Sequence, residues 1–328
     1  MDVVHYGLGP IGLAVAALVA ERPWLRSVGA VDVRPELVGR ALGELVGRPE
    51  IGGPPVEERY GGGRADVALH CTGSSLERVA PQILELVAGG LNVVSTTEEL
   101  SYPWDAHPAL AAEVDAAARR AGVTVLGTGV NPGYAMDYLA LALSAVAQRV
   151  DRVVVHRVQD AGTRRLPLQR KVGAGMELAA FRAAVAEGRV GHVGLAESAH
   201  SLARAFGWRL TELREAIEPL TAETTMPMAE GVIEPGQVVG LHQTAEGVAG
   251  GRQVIWLTLD LAIGIGLSRD SVRLHGVPDL ELEAPNGVPG DLATAAIVVN
   301  AIPRVVAAPA GLAVMSDLAP PTPGPPPG

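Results

Sequence analysis

The apolar run Val3-Val-His-Tyr leads into Gly7-Leu-Gly-Pro-Ile-Gly12, and an acid, Asp32, closes a second apolar run, Val28-Gly-Ala-Val-Asp, twenty residues beyond Gly12. These residue types at this spacing are suited to holding a dinucleotide. The strand must turn sharply at Gly7, the backbone must approach a pyrophosphate at Gly9, and the helix that starts at Pro10 must pack tightly on the sheet at Gly12. Each task excludes a Cβ. The helix start, with Pro10 setting its first turn, offers unpaired N–H groups from Ile11 onward and a partial positive charge to phosphates, while Asp32 can accept hydrogen bonds from ribose hydroxyls. A carboxylate there repels a 2′-phosphate and favours NAD. Arg34, two residues on, can stack on adenine or pair with a 2′-phosphate, so NAD, NADP or both are expected as cofactor. The alternative for Arg34 is a solvated surface arginine.

Ser95-Thr-Thr-Glu-Glu-Leu-Ser-Tyr-Pro-Trp carries the second group able to do chemistry, the adjacent carboxylates Glu98 and Glu99. A carboxylate at the end of a central strand would stand beside a nicotinamide ring. Partly desolvated, its pKa would rise toward neutrality, as suits a general base acting on an ammonium or a water. The competing role is structural, an acid in the first turn of a helix, stabilised by the macrodipole. Spacing alone leaves both roles open.

In Gly127-Thr-Gly-Val-Asn-Pro-Gly-Tyr-Ala-Met-Asp, glycines and a proline hold an irregular backbone around Asn131. The two-faced amide of Asn131 can hold the carboxamide of a nicotinamide or a polar group of a substrate. Tyr134, Ala135 and Met136 can wall a small apolar pocket. Asn-Pro-Gly also occurs as an ordinary turn. Arg164, Arg165, Arg170 and Lys171 form a basic stretch that can take a substrate carboxylate or serve as a solvated loop. His192 and His242 read as structural histidines, and the histidines lack metal-ligand spacing, so no metal is expected. Neither a Gly-x-Ser-x-Gly elbow nor a Gly-Lys-Ser/Thr phosphate loop is present, which disfavours hydrolase and kinase chemistry.

The elements that must position these groups alternate up to about residue 130. Strands are expected at Val3–Tyr6, Ser27–Asp32, Val67–Thr72, Asn92–Ser95 and Val123–Leu126. Helices are expected at Ile11–Glu21, Pro35–Val46, Leu76–Ala88 and Pro108–Ala121. Near-continuous Val/Ala/Leu strands specify a Rossmann-type doubly wound α/β fold, a parallel sheet with helices on both faces that binds ligands at the carboxyl ends of its strands. Gly7–Gly12, Asp32–Arg34, Thr72-Gly73-Ser74-Ser75, Ser95–Glu99 and Gly127–Gly133 then line one cleft. Thr72, Gly73 and Ser74 thereby join the cofactor-binding residues. Residues 131–290 carry longer strands, at 152–159, 233–244, 254–262 and 271–275, with helices near 177–186 and 198–206. They read as a second α+β domain, for substrate and dimerisation, carrying an open mixed sheet that faces the nucleotide. A last helix from about Asp291 to Ala307 is expected to return to domain 1–130, which residues 291–318 complete. Residues 319–328 form a Pro-rich tail expected to be disordered or polyproline.

Composition narrows the class. The chain has 328 residues, enough for two domains, a net charge of −10 and a single cysteine, Cys71. The negative charge argues against nucleic acid or anionic membrane as partner. Apolar stretches broken by charges and an N-terminus that enters a strand directly predict a cytoplasmic protein with no membrane span. One cysteine excludes an intrachain disulfide, and a buried thiol is expected.

Together with Gly290-Asp-Leu-Ala-Thr-Ala-Ala-Ile-Val-Val-Asn-Ala-Ile-Pro-Arg, the three segments resemble the 2,4-diaminopentanoate dehydrogenase family and the native amine dehydrogenases related to it. The resemblance covers most of the chain. It implies a two-domain layout shared with dihydrodipicolinate reductase, a homodimer, use of NAD(P), and interconversion of a small amine or diamino acid with its ketone or aldehyde and ammonia. It places the catalytic glutamate in the Glu98–Glu99 pair and assigns it to Glu98 from the interval to the aromatic Tyr134, with Glu99 as the alternative. The family more often carries Phe at that aromatic position, so Tyr134 implies a more polar pocket. Two alternatives compete: an imine or enamine reductase like dihydrodipicolinate reductase, and a non-catalytic nucleotide sensor. The paired-histidine and lysine motif and the Pro-Ser-Gly-Thr loop of the former are absent, and the glutamate pair argues against the latter.

Overall fold

The computed structural model describes residues 1–162, 166–228 and 230–324. The first half of the chain alternates strand and helix: β1 (Asp2–Tyr6), α1 (Pro10–Ala20), β2 (Arg26–Val31), α2 (Leu42–Leu45), β3 (Val56–Glu57), β4 (Val67–His70), α3 (Leu76–Ala88), β5 (Asn92–Ser95), α4 (Pro108–Ala121) and β6 (Thr124–Gly127). β4 and β6 are buried along their whole length, as strands covered on both faces must be. α3 presents Leu76, Val79, Ala80, Ile83, Leu86 and Val87 at helical spacing to one face of the sheet, where they share a core with Val4, Ala68, Val93, Val125 and Val114 of α4. α4 starts at Pro108 and stops at Gly122, whose φ of +71° turns the chain out of the helix.

Between Tyr134 and Ala135 the chain passes into a second compact unit, Ala135–Val288, where the sequence reading set the boundary at residues 130 and 131. Its elements are α5 (Tyr138–Ser144), β7 (Arg149–Asp160), α6 (Leu166–Lys171), α7 (Leu178–Ala186), α8 (Leu195–Phe206), β8 (Glu212–Thr221), β9 (Met226–Pro227), β10 (Val232–Ile233), β11 (Val238–Ala249), β12 (Arg252–Ala262), β13 (Arg269–Val277) and β14 (Leu280–Pro285). Six of these strands form a mixed sheet in the order β14-β13-β7-β12-β11-β8, with β7 and β12 parallel and the other pairs antiparallel. α5, α7 and α8 pack on one face of this sheet, over Val153, Val155, Leu257, Leu259, Leu241 and Leu274. Alternate residues, among them Val154, Val158 and Trp256, point to the other face and are half-buried within the chain.

The chain then returns to the first unit as α9 (Gly290–Val306) and β15 (Gly311–Ala313). α9 packs beside α1 on the face of the parallel sheet opposite α3 and α4, and β15 adds a seventh strand, giving the order β15-β6-β5-β4-β1-β2-β3. All pairs in this sheet are parallel, so the doubly wound expectation holds, with the strand order reversing at β1 between β2 and β4. Several boundaries differ from the sequence expectation. Residues 35–40 form turns, so the expected helix 35–46 shrinks to Leu42–Leu45. The expected strand 233–244 is broken by a turn at Glu234–Gln237, which carries Pro235 and a left-handed Gly236. Pro320 accepts a hydrogen bond from Arg304 Nε at 3.2 Å, and the last four residues of the expected tail lie outside those described. Among the described residues no helix is long and apolar enough to cross a membrane.

Candidate active site

The turn after β1 is built as the glycine spacing requires. Gly7 has a φ of +90° and donates its N–H to the Val31 carbonyl at 2.8 Å, and a Cβ on Gly12 would collide with the Gly7 carbonyl oxygen. The Cβ position of Gly9 opens onto empty space instead. The fold itself thus demands Gly7 and Gly12, whereas at Gly9 only an incoming group close to the backbone would. α1 starts there with Pro10 in its first turn, no side-chain cap and no acid, so its first amides face outward as an anion site.

Asp32, at the end of β2, accepts the Leu8 N–H on Oδ2 at 2.7 Å. It also accepts the Arg34 backbone N–H and Nε on Oδ1, each at 3.0 Å. Arg34 Nη2 donates to the Leu8 carbonyl at 2.7 Å, so the arginine bridges the acid to the glycine turn instead of lying free in solvent. Burial opposes ionisation of Asp32, but the hydrogen bonds from Arg34 and Leu8 outweigh it and hold the carboxyl below its usual range. A cleft of about 350 Å³ lies over this arrangement, lined by Tyr6, Gly7, Gly9, Asp32, Arg34, Cys71, Thr72 and Gln82. An open backbone position, a helix N-terminus and a fixed carboxylate in one cleft fit the pyrophosphate and ribose of a dinucleotide. Burial pushes the Cys71 thiol up to about 12, so it remains protonated and chemically passive.

The loops after β4 and β5 are tied together. Thr97 Oγ1 donates to the Gly73 carbonyl at 2.8 Å, and the Glu99 N–H reaches the Ser74 carbonyl at 3.4 Å. Beyond Thr97 the chain makes a 3₁₀ turn, Glu98–Ser101, in which Ser101 Oγ donates to the Glu98 carbonyl at 2.6 Å. This turn lies flat against β6 because Gly127 has no side chain; a Cβ there would collide with the Leu100 carbonyl carbon. The two carboxylates of the pair are placed differently. Glu99 Oε2 accepts the Leu76 N–H at 2.6 Å, capping α3 where Ser75 makes no side-chain cap, and stands 3.2 Å from His107 Nε2. Glu98 is half-buried one residue earlier on the same turn.

Asn131 is buried in the loop after β6. This loop is held by α9 through the Val130 N–H, which donates to Thr294 Oγ1 at 3.3 Å. Tyr134 keeps part of its surface accessible. Ala135 and Met136 are buried, Met136 within the core of the second unit. Asp137, next in sequence, fixes the start of α5. It accepts the Tyr138 N–H at 2.6 Å and the Ser198 hydroxyl at 2.9 Å.

The basic stretch is partly accounted for by an exposed ion pair, Arg170 Nη2 to Glu230 Oε2 at 3.0 Å, while Arg164 and Arg165 lie outside the described residues. The His192 N–H and carbonyl are bonded by the Gln243 amide. His242 Nδ1 and His156 Nε2 both donate to Asp260, each at 2.5 Å, on the face of the mixed sheet opposite α5, α7 and α8. Two buried groups escape sequence reasoning. Arg157 and Asp270 pair at 2.6 Å in the second unit, and His70 lies fully buried at the end of β4. The signal for His70 was its position, the last residue of an otherwise apolar central strand.

A family model described as the 2,4-diaminopentanoate dehydrogenase C-terminal domain matches residues 134–323. The 2,4-diaminopentanoate dehydrogenase of Acetoanaerobium sticklandii is 30% identical, over 97% of this chain and 93% of its own. Among solved structures, an amine dehydrogenase from Mycobacterium smegmatis superposes with a TM-score of 0.87 at 26% identity, over 98% of this chain and 97% of that one. A probable dehydrogenase from Thermotoga maritima shares the fold at 12% identity, with a TM-score of 0.57 over 97% of this chain and 92% of its own.

Proposed function

The chain belongs to the 2,4-diaminopentanoate dehydrogenase family, and from that premise we propose that it is an NAD(P)-dependent amine dehydrogenase with Glu98 as its base. The reaction is oxidative deamination of a small amine or diamino acid to a ketone or aldehyde plus ammonia, and the reverse reductive amination. NAD(P), when bound by the Gly7–Gly12 turn, Asp32, Arg34, Thr72, Gly73, Ser74 and Asn131, supplies the two-electron acceptor or donor. Every proton is handled by the chain. The amine arrives as an ammonium and must lose a proton before its carbon can give up hydride; Glu98 takes it and passes it to solvent, so the carboxylate is restored. The resulting iminium is a cation that the Glu98 carboxylate can stabilise. Hydrolysis follows when a water adds to the iminium carbon and its proton passes to the restored carboxylate; Glu98 returns that proton to the carbinolamine nitrogen, and the C–N bond breaks as the hydroxyl loses its proton, giving the carbonyl and ammonia.

The observation that carries the choice within the pair is the engagement of Glu99 as the cap of α3. Its oxygen meets a backbone donor and an imidazole, so proton transfer there would disturb a helix start. Tyr134 is the proposed aromatic contact for the substrate. The test is formation of reduced cofactor from a panel of small amines matched with and without a carboxylate; absence of turnover across the panel would refute the activity.

The homodimer and the cytoplasm belong to the same proposal. The face of the mixed sheet opposite α5, α7 and α8, with the half-buried Val154, Val158 and Trp256, supports pairing with a second copy around a two-fold axis. The cytoplasm is the compartment that holds the soluble nucleotide pool.

A further inference from the structure

His70 ends β4 with no exposed surface, and its ring contacts reach both loops that build the site. On one side Nε2 lies 2.9 Å from Gln82 Oε1 and 2.9 Å from Thr72 Oγ1, two residues that line the nucleotide cleft. On the other side Nδ1 lies 2.9 Å from Ser95 Oγ, the last residue of β5. Ser95 Oγ accepts the Thr97 N–H at 3.1 Å, and Thr97 is the residue before Glu98. We propose that His70 is a positioning residue with two separable arms, one holding the nucleotide cleft through Gln82 and Thr72, the other holding the Glu98 turn through Ser95 and Thr97.

The chemistry of the ring makes the arms distinct. Burial pushes the imidazole down to about 4, against the Gln82 contact, so at neutral pH the ring carries a single N–H. Gln82 Oε1 can only accept, which puts that proton on Nε2 and leaves Nδ1 an acceptor that shares the single Ser95 hydroxyl proton with Thr97 Oγ1, 3.0 Å from Ser95 Oγ. A charged imidazolium would donate from both nitrogens, reversing the Ser95 bond so that Ser95 Oγ accepts from Nδ1. A central strand filled by an aliphatic residue at this position would pack equally well. It would leave Ser95 Oγ and the Gln82 amide without this partner, and the two loops without their common tether.

The inference rests on the amine-dehydrogenase reading for its second arm only, since the first is read by binding alone. Asparagine reproduces the Nδ1 position and glutamine the Nε2 position, so the arms can be cut one at a time. NADH affinity is measured by fluorescence titration, and kcat at saturating cofactor and amine. His70→Asn is expected to weaken NADH binding roughly tenfold with the smaller loss in kcat. His70→Gln should lower kcat roughly tenfold with the smaller loss in affinity. Ser95→Ala should follow His70→Gln, and Gln82→Ala should weaken NADH binding as His70→Asn does; neither alters the imidazole, so both serve if the histidine variants fail to fold. Imidazole ¹⁵N shifts of the wild type should show the Nε2–H tautomer persisting from pH 7 to pH 5. If all variants lose affinity and kcat in parallel, or lose stability alone, or if the neutral ring carries its proton on Nδ1, His70 is not the tether drawn here and the proposal falls. If the wild type turns over no amine, the functional reading has failed, while NADH affinities and the ¹⁵N shifts still decide for or against the tether.

Discussion

The backbone N–H of Leu76 donates to Glu99 Oε2 at 2.6 Å, joining the start of α3 to the turn that follows β5. The residue that should cap α3, Ser75, makes no side-chain bond of that kind, so the cap comes from a different segment. Two adjacent carboxylates thereby acquire different duties, one holding a helix in place and its neighbour standing on a turn that Gly127 allows to lie close to β6.

Removing the cap should cost stability more than chemistry. Glu99→Ala is expected to destabilise the protein by about 1 kcal/mol, the usual worth of an N-cap, with Glu99→Gln milder because its amide oxygen still accepts from Leu76. Urea unfolding measures the first quantity and initial rates the second. A loss of turnover in Glu99→Gln as large as in Glu98→Gln would mean that Glu99 shares the chemistry.

Gly127 should matter for rate without touching any ligand. A methyl group there must push the Glu98–Ser101 turn away from β6, so Gly127→Ala should lower kcat by roughly 10²-fold, the effect of about 1 Å of misplacement, while NADH affinity changes little. Fluorescence titration alongside steady-state rates separates the two.

Nucleotide choice follows from Asp32 and Arg34. Asp32→Ala removes the carboxylate that would repel a 2′-phosphate and frees the guanidinium now bonded to it, so preference should move toward NADP on the order of tenfold. The ratio of kcat/KM with the two cofactors is the measure. A wild type inactive with saturating NAD would contradict this role of the acid.

Stability should rise with pH across the acid range. His5 and His70 are both buried and held near about 4, below the ordinary value of about 6.5 in the unfolded chain. Between those values the unfolded state binds protons that the folded state refuses, so stability falls as pH drops below about 6.5 and is level above it. Each histidine should contribute about 2 kcal/mol to the difference between pH 7.5 and pH 5. Urea unfolding at the two pH values tests the sum, and His5→Gln should remove about half of it.

Much of the nucleotide half was legible because its constraints are local. The glycine spacing, the acid at the end of β2 and the alternating apolar runs each reflect one short-range requirement, and the parallel sheet follows from them. The pair of glutamates was visible as a pair, but the placement of Glu99 depends on Leu76 and His107, residues that the local run Ser95–Glu99 does not reveal. β8 and β14 alternate partly buried Leu and Ile with exposed acids, but both are rich in Glu and carry a proline, Pro219 and Pro285, residue types that are depleted in strands. β15 is only three residues long and follows the helix that was expected to finish the domain.

Glu98→Gln tests the central claim most directly, because it keeps the size and most hydrogen bonding of the side chain but cannot take a proton or offset an iminium charge. With NADH, ammonia and a small ketone, and in the reverse direction with NAD and the matching amine, turnover should fall by roughly 10²–10⁴-fold, the range for a lost acid–base group. NADH affinity, titrated on the same preparation, should stay within about twofold of wild type. Near-wild-type turnover in Glu98→Gln would contradict the assignment of the base, and with it the account of how this site moves protons.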